Sequence, residues 1–268
     1  MKTYTQKDLD HVMASLDLLS ESEKEVLYKA FAHGTAYPDL ESKRAFALDS
    51  VRAAVLAHTP KDAESPMHAA FTYLYDRTRR RLGFFESEGI IRAYYSICER
   101  RPEDRWELAI AARMVGEMQL YRNNPTAEAI QEAEQKLALS LLLYEGMDSQ
   151  DPDVRGGRAK TLSSLAALFI MQGNYAEAEK LLKEAKAMFR ALAYEGNEEW
   201  RPYYAGSMMN LGDLYIRIGK KQEAIHCYRR AVDILEKCKS YDSYYMHFAL
   251  DHALGVLKEL DEKEESET

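Results

Sequence analysis

The feature that most narrows what this chain can fold into is an ungapped internal self-similarity. Residues 165–189, LAALFIMQGNYAEAEKLLKEAKAMF, align with residues 211–235, LGDLYIRIGKKQEAIHCYRRAVDIL. Leu165 pairs with Leu211, Ala166 with Gly212, Phe169 with Tyr215 and Gly173 with Gly219. In the second half Ala178 pairs with Ala224, Leu182 with Tyr228 and Ala185 with Ala231. A more degenerate copy precedes them, opened by Val115-Gly116 and carrying Ala133, Leu137 and Ser140 at the later positions. The alanine of the second half recurs at Ala133, Ala178 and Ala224, at intervals of 45 and 46 residues. A period of that length marks a repeated supersecondary unit, which cannot bury its apolar face alone and must stack on its neighbours.

Local signals say what the unit is made of. Ser20-Glu21-Ser22-Glu23 is a capping box, and Gly34 closes the helix it opens. Ser65-Pro66 and Asp151-Pro152 each set a cap before a proline at the first helical position, with Gly83 and Gly173 at the far ends. Asn174 caps a helix running to Gly196; further helices are expected from about Asn197 to Gly219 and from Lys221 to about Ser240. No stretch alternates apolar and polar residues long enough to make a strand, so an all-α chain is expected. Within a unit, the small residue at Ala166 or Gly212 lets two helices approach, and the aromatic residue three positions later fills the space beside it.

The order Leu-Gly-x-x-Tyr, Gly, Ala, Tyr, Ala across Leu211 to Ala231 resembles the tetratricopeptide repeat. The resemblance is strong over 158–240, fair over 103–146, and weak or absent before about residue 100. The period exceeds the 34 residues of that repeat by about eleven or twelve. Units of this length are similar to those of kinesin light chain and of bacterial peptide-sensing regulators, and GNYAEAEKLLKEA at 173–185 resembles the kinesin-light-chain type. Leu162 and Met208 replace the early Trp of the pattern, and Arg190 and Glu236 replace the late Pro. The resemblance implies a right-handed α-solenoid of helical hairpins at about 103–146, 158–195 and 198–240. A capping helix follows over 242–261, where Leu254-Gly255 echoes the opening of a unit, and then an acidic tail over 262–268. Residues 1–100, with helices near 5–19, 21–33, 39–58, 65–82 and 87–100, form either diverged repeats or a separate helical bundle.

The same resemblance implies that the first helix of each unit lines a concave surface that holds peptides. The corresponding positions are Gly206, Met209, Asn210, Asp213, Ile216 and Arg217 in the last unit. In the middle unit they are Lys160, Ser163, Ser164, Ala167, Ile170 and Met171, and in the first Ile110, Arg113, Met114, Glu117, Leu120 and Tyr121. Asn210 is the foremost of these, because an amide offers donor and acceptor together and grips an extended backbone without reading its sequence. The set suits a mixed-charge amphipathic peptide. It lacks the strongly basic clamp that some repeat proteins of this kind use for a C-terminal carboxylate.

The expected function is a non-enzymatic scaffold or adaptor for a protein or peptide. The alternative is a peptide-sensing regulator whose N-terminal helices engage a signalling or transcription partner, although residues 1–60 contain no helix-turn-helix with a basic recognition helix. The net charge of -8 disfavours phosphate backbones and anionic membrane surfaces. Segment 77–113 nonetheless holds nine Arg against six acids, densest at Arg77, Arg79, Arg80 and Arg81. That run is either a docking patch for an acidic partner or phosphate, or a solvated helix face with pairs such as Asp76–Arg80. Aromatic pairs at Tyr94-Tyr95, Tyr203-Tyr204 and Tyr244-Tyr245 suit either a groove or packing between helices.

No motif calls for chemistry. There is no Gly-rich phosphate loop, no CxxC and no nucleophile elbow, and His247 and His252, five apart, lack the spacing of a helical metal pair. No cofactor or metal is expected. Cys98, Cys227 and Cys238 read as buried free thiols of a reducing cytoplasm. The start MKTYTQKDLD has no apolar core, and no run reaches the length of a membrane span. Self-association is left open.

Overall fold

The helices begin and end where short side chains and glycines say they should. In the computed structural model, Ser20 and Glu23 close a reciprocal capping box: Ser20 N–H donates to Glu23 Oε2 at 2.7 Å, and Glu23 N–H to Ser20 Oγ at 3.3 Å. Asp151 Oδ1 accepts from the amides of Asp153 (2.8 Å) and Val154 (3.4 Å). Asn174 Oδ1 accepts from Glu177 N–H. Gly173 and Gly219 adopt φ of 76° and 75°, the left-handed conformation cheap only for glycine. Both sit in the same closing turn. Asn174 N–H bonds back to Phe169 O and Lys220 N–H to Tyr215 O, each at 2.8 Å, so the first helix of either repeat ends identically.

The structure describes residues 5–32, scattered positions between 39 and 75, and residues 88–101, 103–196, 198–238 and 244–267. Regular structure among the described residues is entirely helical. The chain divides into two compact units, Met1–Arg122 and Asn123–Thr268. The first contains α1 (Gln6–Leu16), α2 (Glu21–Ala32), α3 (Glu88–Glu99) and α4 (Arg105–Leu120). The second contains α5 (Ala127–Glu145), α6 (Pro152–Met171), α7 (Tyr175–Tyr194), a 3-10 turn (Glu198–Trp200), α8 (Arg201–Arg217), α9 (Lys221–Lys237) and α10 (Tyr244–Glu267). The helices expected near 39–58 and 65–82, with their Ser65-Pro66 start and the Gly34 and Gly83 stops, lie outside the described residues or are only sparsely covered.

In the first unit α2 packs on α3 and α3 on α4. Arg100 pairs with Glu23 at 3.0 Å, and Arg101 donates to Ser15 Oγ at 3.0 Å, which ties the end of α3 to α2 and α1. Glu88, in the first turn of α3, accepts from Gln119 and Arg122 at the end of α4. These ties explain where the chain divides. The division after residue 122 leaves α4 in the same unit as α3, to which it is fastened. The expected first repeat, 103–146, is therefore split, with its opening half in one unit and α5 in the other.

The second unit is a stack of helical hairpins. Each helix from α5 to α10 packs most extensively on its sequence neighbours, while α6 also meets α8 and α8 meets α10. The alanines and their partners at the aligned positions are buried together: Ala133, Ala178, Ala185, Ala224 and Ala231 at 0% exposure, with Leu137, Leu182 and Tyr228 beside them. Two clefts are cut by glycine. A Cβ at Gly212 would lie 2.6 Å from the Tyr228 ring, and one at Gly157 would lie 2.3 Å from the Tyr144 hydroxyl. Aromatic residues of the flanking second helices therefore lie directly on the first-helix backbone.

The final helix departs from expectation in two ways. Leu254 and Gly255 are exposed, and Ala249, Ala253 and Leu260 are buried instead, so the inward stripe of α10 is offset from the proposed echo. The segment expected as a tail from 262 continues the helix to Glu267, as Glu- and Lys-rich sequence without Gly or Pro permits.

Candidate functional site

The face shared by α6 and α8 holds the expected partner-binding positions of the second unit. Along α8 the residues Tyr203, Gly206, Asn210, Asp213 and Arg217 recur at helical spacing, so they form one continuous stripe. Tyr203, Asn210, Asp213, Ile216 and Arg217 are exposed, while Gly206 and Met209 are half-buried. On α6, Lys160, Ser163, Ala167 and Ile170 are half-buried and Met171 is exposed. Ser164 is not available: it is buried, and its hydroxyl donates to Lys160 O at 3.1 Å. Ser163 donates in the same manner to Ala159 O at 3.0 Å, which leaves only its lone pairs to a ligand.

The N-terminal end of this face is an aromatic cluster. Trp200, in the 3-10 turn before α8, inserts against α6, where a Cβ at Gly156 would lie 1.9 Å from its ring. It stacks on Phe189 of α7 with centroids 6.1 Å apart and meets Tyr203 at 5.3 Å. Lys160 Nζ stands 4.1 Å from the Tyr203 ring centroid and 5.1 Å from that of Trp200. The tyrosine pair at 203–204 is thus divided, with Tyr204 buried in the core and Tyr203 on the surface.

Further along, Asp213 is held rather than free. The hydroxyl of Tyr228, whose ring is buried on Gly212, donates to Asp213 Oδ1. Burial, reinforced by that bond, pushes the Tyr228 phenol up from its ordinary value, so it remains a donor throughout the working range. A second tyrosine–carboxylate bond ties the hairpins together: Tyr215 of α8 donates to Glu179 of α7 at 3.1 Å. Burial and the Glu179 carboxylate push the Tyr215 phenol up to about 12.

The positions expected from the first repeat belong to the other unit. Ile110 and Leu120 are buried there at 6% and 2% exposure, because α4 turns them toward the core it shares with α3. Arg113 and Glu117 form an ion pair at 2.7 Å along α4, and Tyr121 is 60% exposed. The patch Arg77, Arg79, Arg80 and Arg81 lies outside the described residues.

Cys98, Cys227 and Cys238 are buried and unbridged, and burial pushes each thiol up, away from the reactive thiolate. Among the described residues no group of three or more His, Cys, Asp or Glu side chains comes together to hold a metal, and no helix is long and apolar enough to cross a membrane.

Residues 157–237, spanning α6 to α9, match the family model for the tetratricopeptide repeat. Residues 157–237 carry tetratricopeptide repeats. A search of curated proteins finds no match. The matched tetratricopeptide segment coincides with the two hairpins whose glycines and alanines align position by position, and repeats of this family as a rule mediate protein–protein interaction without catalysis. Sequence reasoning passed over two residues at the site, Trp200 and Tyr228. The signal that points to the first is the Gly156-Gly157 pair inside a helix, which makes sense only where bulky neighbours approach the backbone.

Proposed function

We propose that the chain is a peptide-binding scaffold, and that the α6–α8 face is a groove for an extended segment of a partner protein. The observation that carries this reading is Gly206. It lies in the interior of α8, where glycine costs about 1 kcal/mol relative to alanine. No packing demands it, since a Cβ there would meet nothing within 4 Å. A helix face bare at that point lets another backbone approach closely. On either side stand Tyr203, an aromatic surface with a polar tip, and Asn210, whose amide pairs with both edges of a peptide unit. Met209, Ile216 and Met171 add adaptable apolar contact, and Arg217 a cation without an ion-pair partner among the described residues.

The test uses the full chain and a peptide selected against it from a displayed random library. Gly206→Leu should retain the helical content and unfolding temperature of the parent and weaken the selected peptide at least about tenfold, because the new side chain stands in the path of the ligand. Asn210→Ala paired with Arg217→Glu should weaken it comparably. Equal affinity in all these variants contradicts the groove assignment. Asp213 is a poorer probe, because its replacement also strips the buried Tyr228 hydroxyl of its acceptor.

A further inference from the structure

We propose that the head of this groove holds a subsite for an acidic side chain of the bound peptide, with Lys160 as the recognising group and Trp200 and Tyr203 as its floor. The inference rests on the groove reading above and adds what the peptide must present there.

The cations of α6 divide by direction. Arg155 and Arg158 are neutralised, the first by Glu195 and the second by Glu184 at 2.8 Å, both from the α7 side. Lys160 points the other way, toward α8, and lies over two aromatic rings. No carboxylate pairs with it among the described residues, although acids outnumber bases 44 to 36 along the chain. Aromatic faces replace part of the hydration of an ammonium and orient it, but they carry no formal charge to satisfy it. The same cluster contains a second unsatisfied donor. The Trp200 indole is 5% exposed, and its buried Nε1 has no acceptor. The Lys160 ammonium and the Trp200 indole are thus two donors with no acceptor among the described residues, in a site that the exposed Tyr203 leaves open.

Asp213, the carboxylate on the α8 stripe, is engaged by Tyr228, and Arg217 one turn on has no ion-pair partner among the described residues. The neutral phenol leaves Asp213 its charge, which offsets Arg217 within the stripe, so Lys160 is the cation left for a ligand at the head of the face. An extended peptide carrying Asp or Glu opposite Lys160 complements it. A Lys held in place by two rings has already lost its rotamer freedom, so the pairing forgoes much of the entropy cost that weakens ordinary surface ion pairs.

The experiment compares selections from a displayed random-peptide library against the full-length parent, Lys160→Arg and Lys160→Met. The methionine keeps an unbranched stem over the rings and removes the charge. The parent and Lys160→Arg should enrich a carboxylate at one fixed position, and Lys160→Met should lose that preference while keeping the apolar positions. For one enriched peptide, Glu→Gln at that position should weaken binding to the parent about tenfold and to Lys160→Met by less than about twofold. Enriched peptides with no acidic position, or an acidic preference that survives in Lys160→Met, overturn the subsite and leave the groove standing. A parent selection that enriches nothing overturns the groove reading itself, and the subsite with it.

Discussion

Gly206 and Gly212 lie on the same helix, and their surroundings give alanine opposite effects at the two positions. At Gly206 a methyl group meets nothing, so Gly206→Ala should stabilise the protein by up to about 1 kcal/mol through helix propensity alone. At Gly212 the methyl would sit 2.6 Å from the buried Tyr228 ring, a side chain with no room to retreat. Gly212→Ala should therefore destabilise by about 1–2 kcal/mol net, with the overpacking cost exceeding the propensity gain. Urea unfolding of the two variants beside the parent measures both signs in one experiment, and a stabilised Gly212→Ala contradicts the packing described. At this scale much was legible from the sequence. The Ser20–Glu23 box, the Asp151 and Asn174 caps and the glycines at 173 and 219 act within a few residues of themselves, so their roles can be read locally. Trp200 on Gly156, Tyr144 on Gly157 and Tyr228 on Asp213 join positions distant in the chain, and neither periodicity nor capping reports such contacts. The same limitation misplaced Ser164, whose spacing puts it on the correct helix but one position toward the core.

Between elements, the hairpins of the repeat unit are joined by core packing and by a polar tie at Glu179. This carboxylate of α7 takes the Tyr215 hydroxyl of α8, pairs with Lys183 on its own helix at 2.7 Å, and faces Lys220 at 3.7 Å. The Lys183 contact is the largest cause holding its carboxyl below the ordinary value of 4.5. A carboxyl depressed in the folded state contributes stability in full above its unfolded value and loses it as pH falls through the folded value. Glu179→Gln should accordingly lower stability modestly at neutral pH, by less than about 1 kcal/mol, and flatten the loss of stability below pH 4.5 relative to the parent. Chemical unfolding across that range tests it, and an unchanged acid slope contradicts the tie. Helix order in the repeats followed from the 46-residue recurrence, which is a property of elements. The division of the expected first repeat did not, because the Glu88 contacts with Gln119 and Arg122 draw α4 toward α3 across a stretch of sequence with no periodic signal.

For the repeat unit as a whole, stability is transmitted from neighbour to neighbour, and the last helix matters beyond its own contacts. The stripe Ala249, Ala253 and Leu260 of α10 covers an apolar side of the final hairpin. Ala253→Asp sets a charge at a fully buried position and should detach that cover, lowering the unfolding temperature and exposing apolar surface to a hydrophobic dye. An unaltered melt contradicts the capping role of α10. The central claim of the account is that the first helices α6 and α8, rather than α7 and α9, receive the partner polypeptide. Photocrosslinking tests it most directly, with one photoreactive side chain placed in the full-length chain at Ser163 or Asn210 on the proposed groove, or at Ala187 or Asp233 on the second helices, and a library-selected peptide added. The account predicts adducts from 163 and 210 that an excess of unlabelled peptide suppresses, with none from 187 or 233; competable adducts from 187 and 233 alone contradict it.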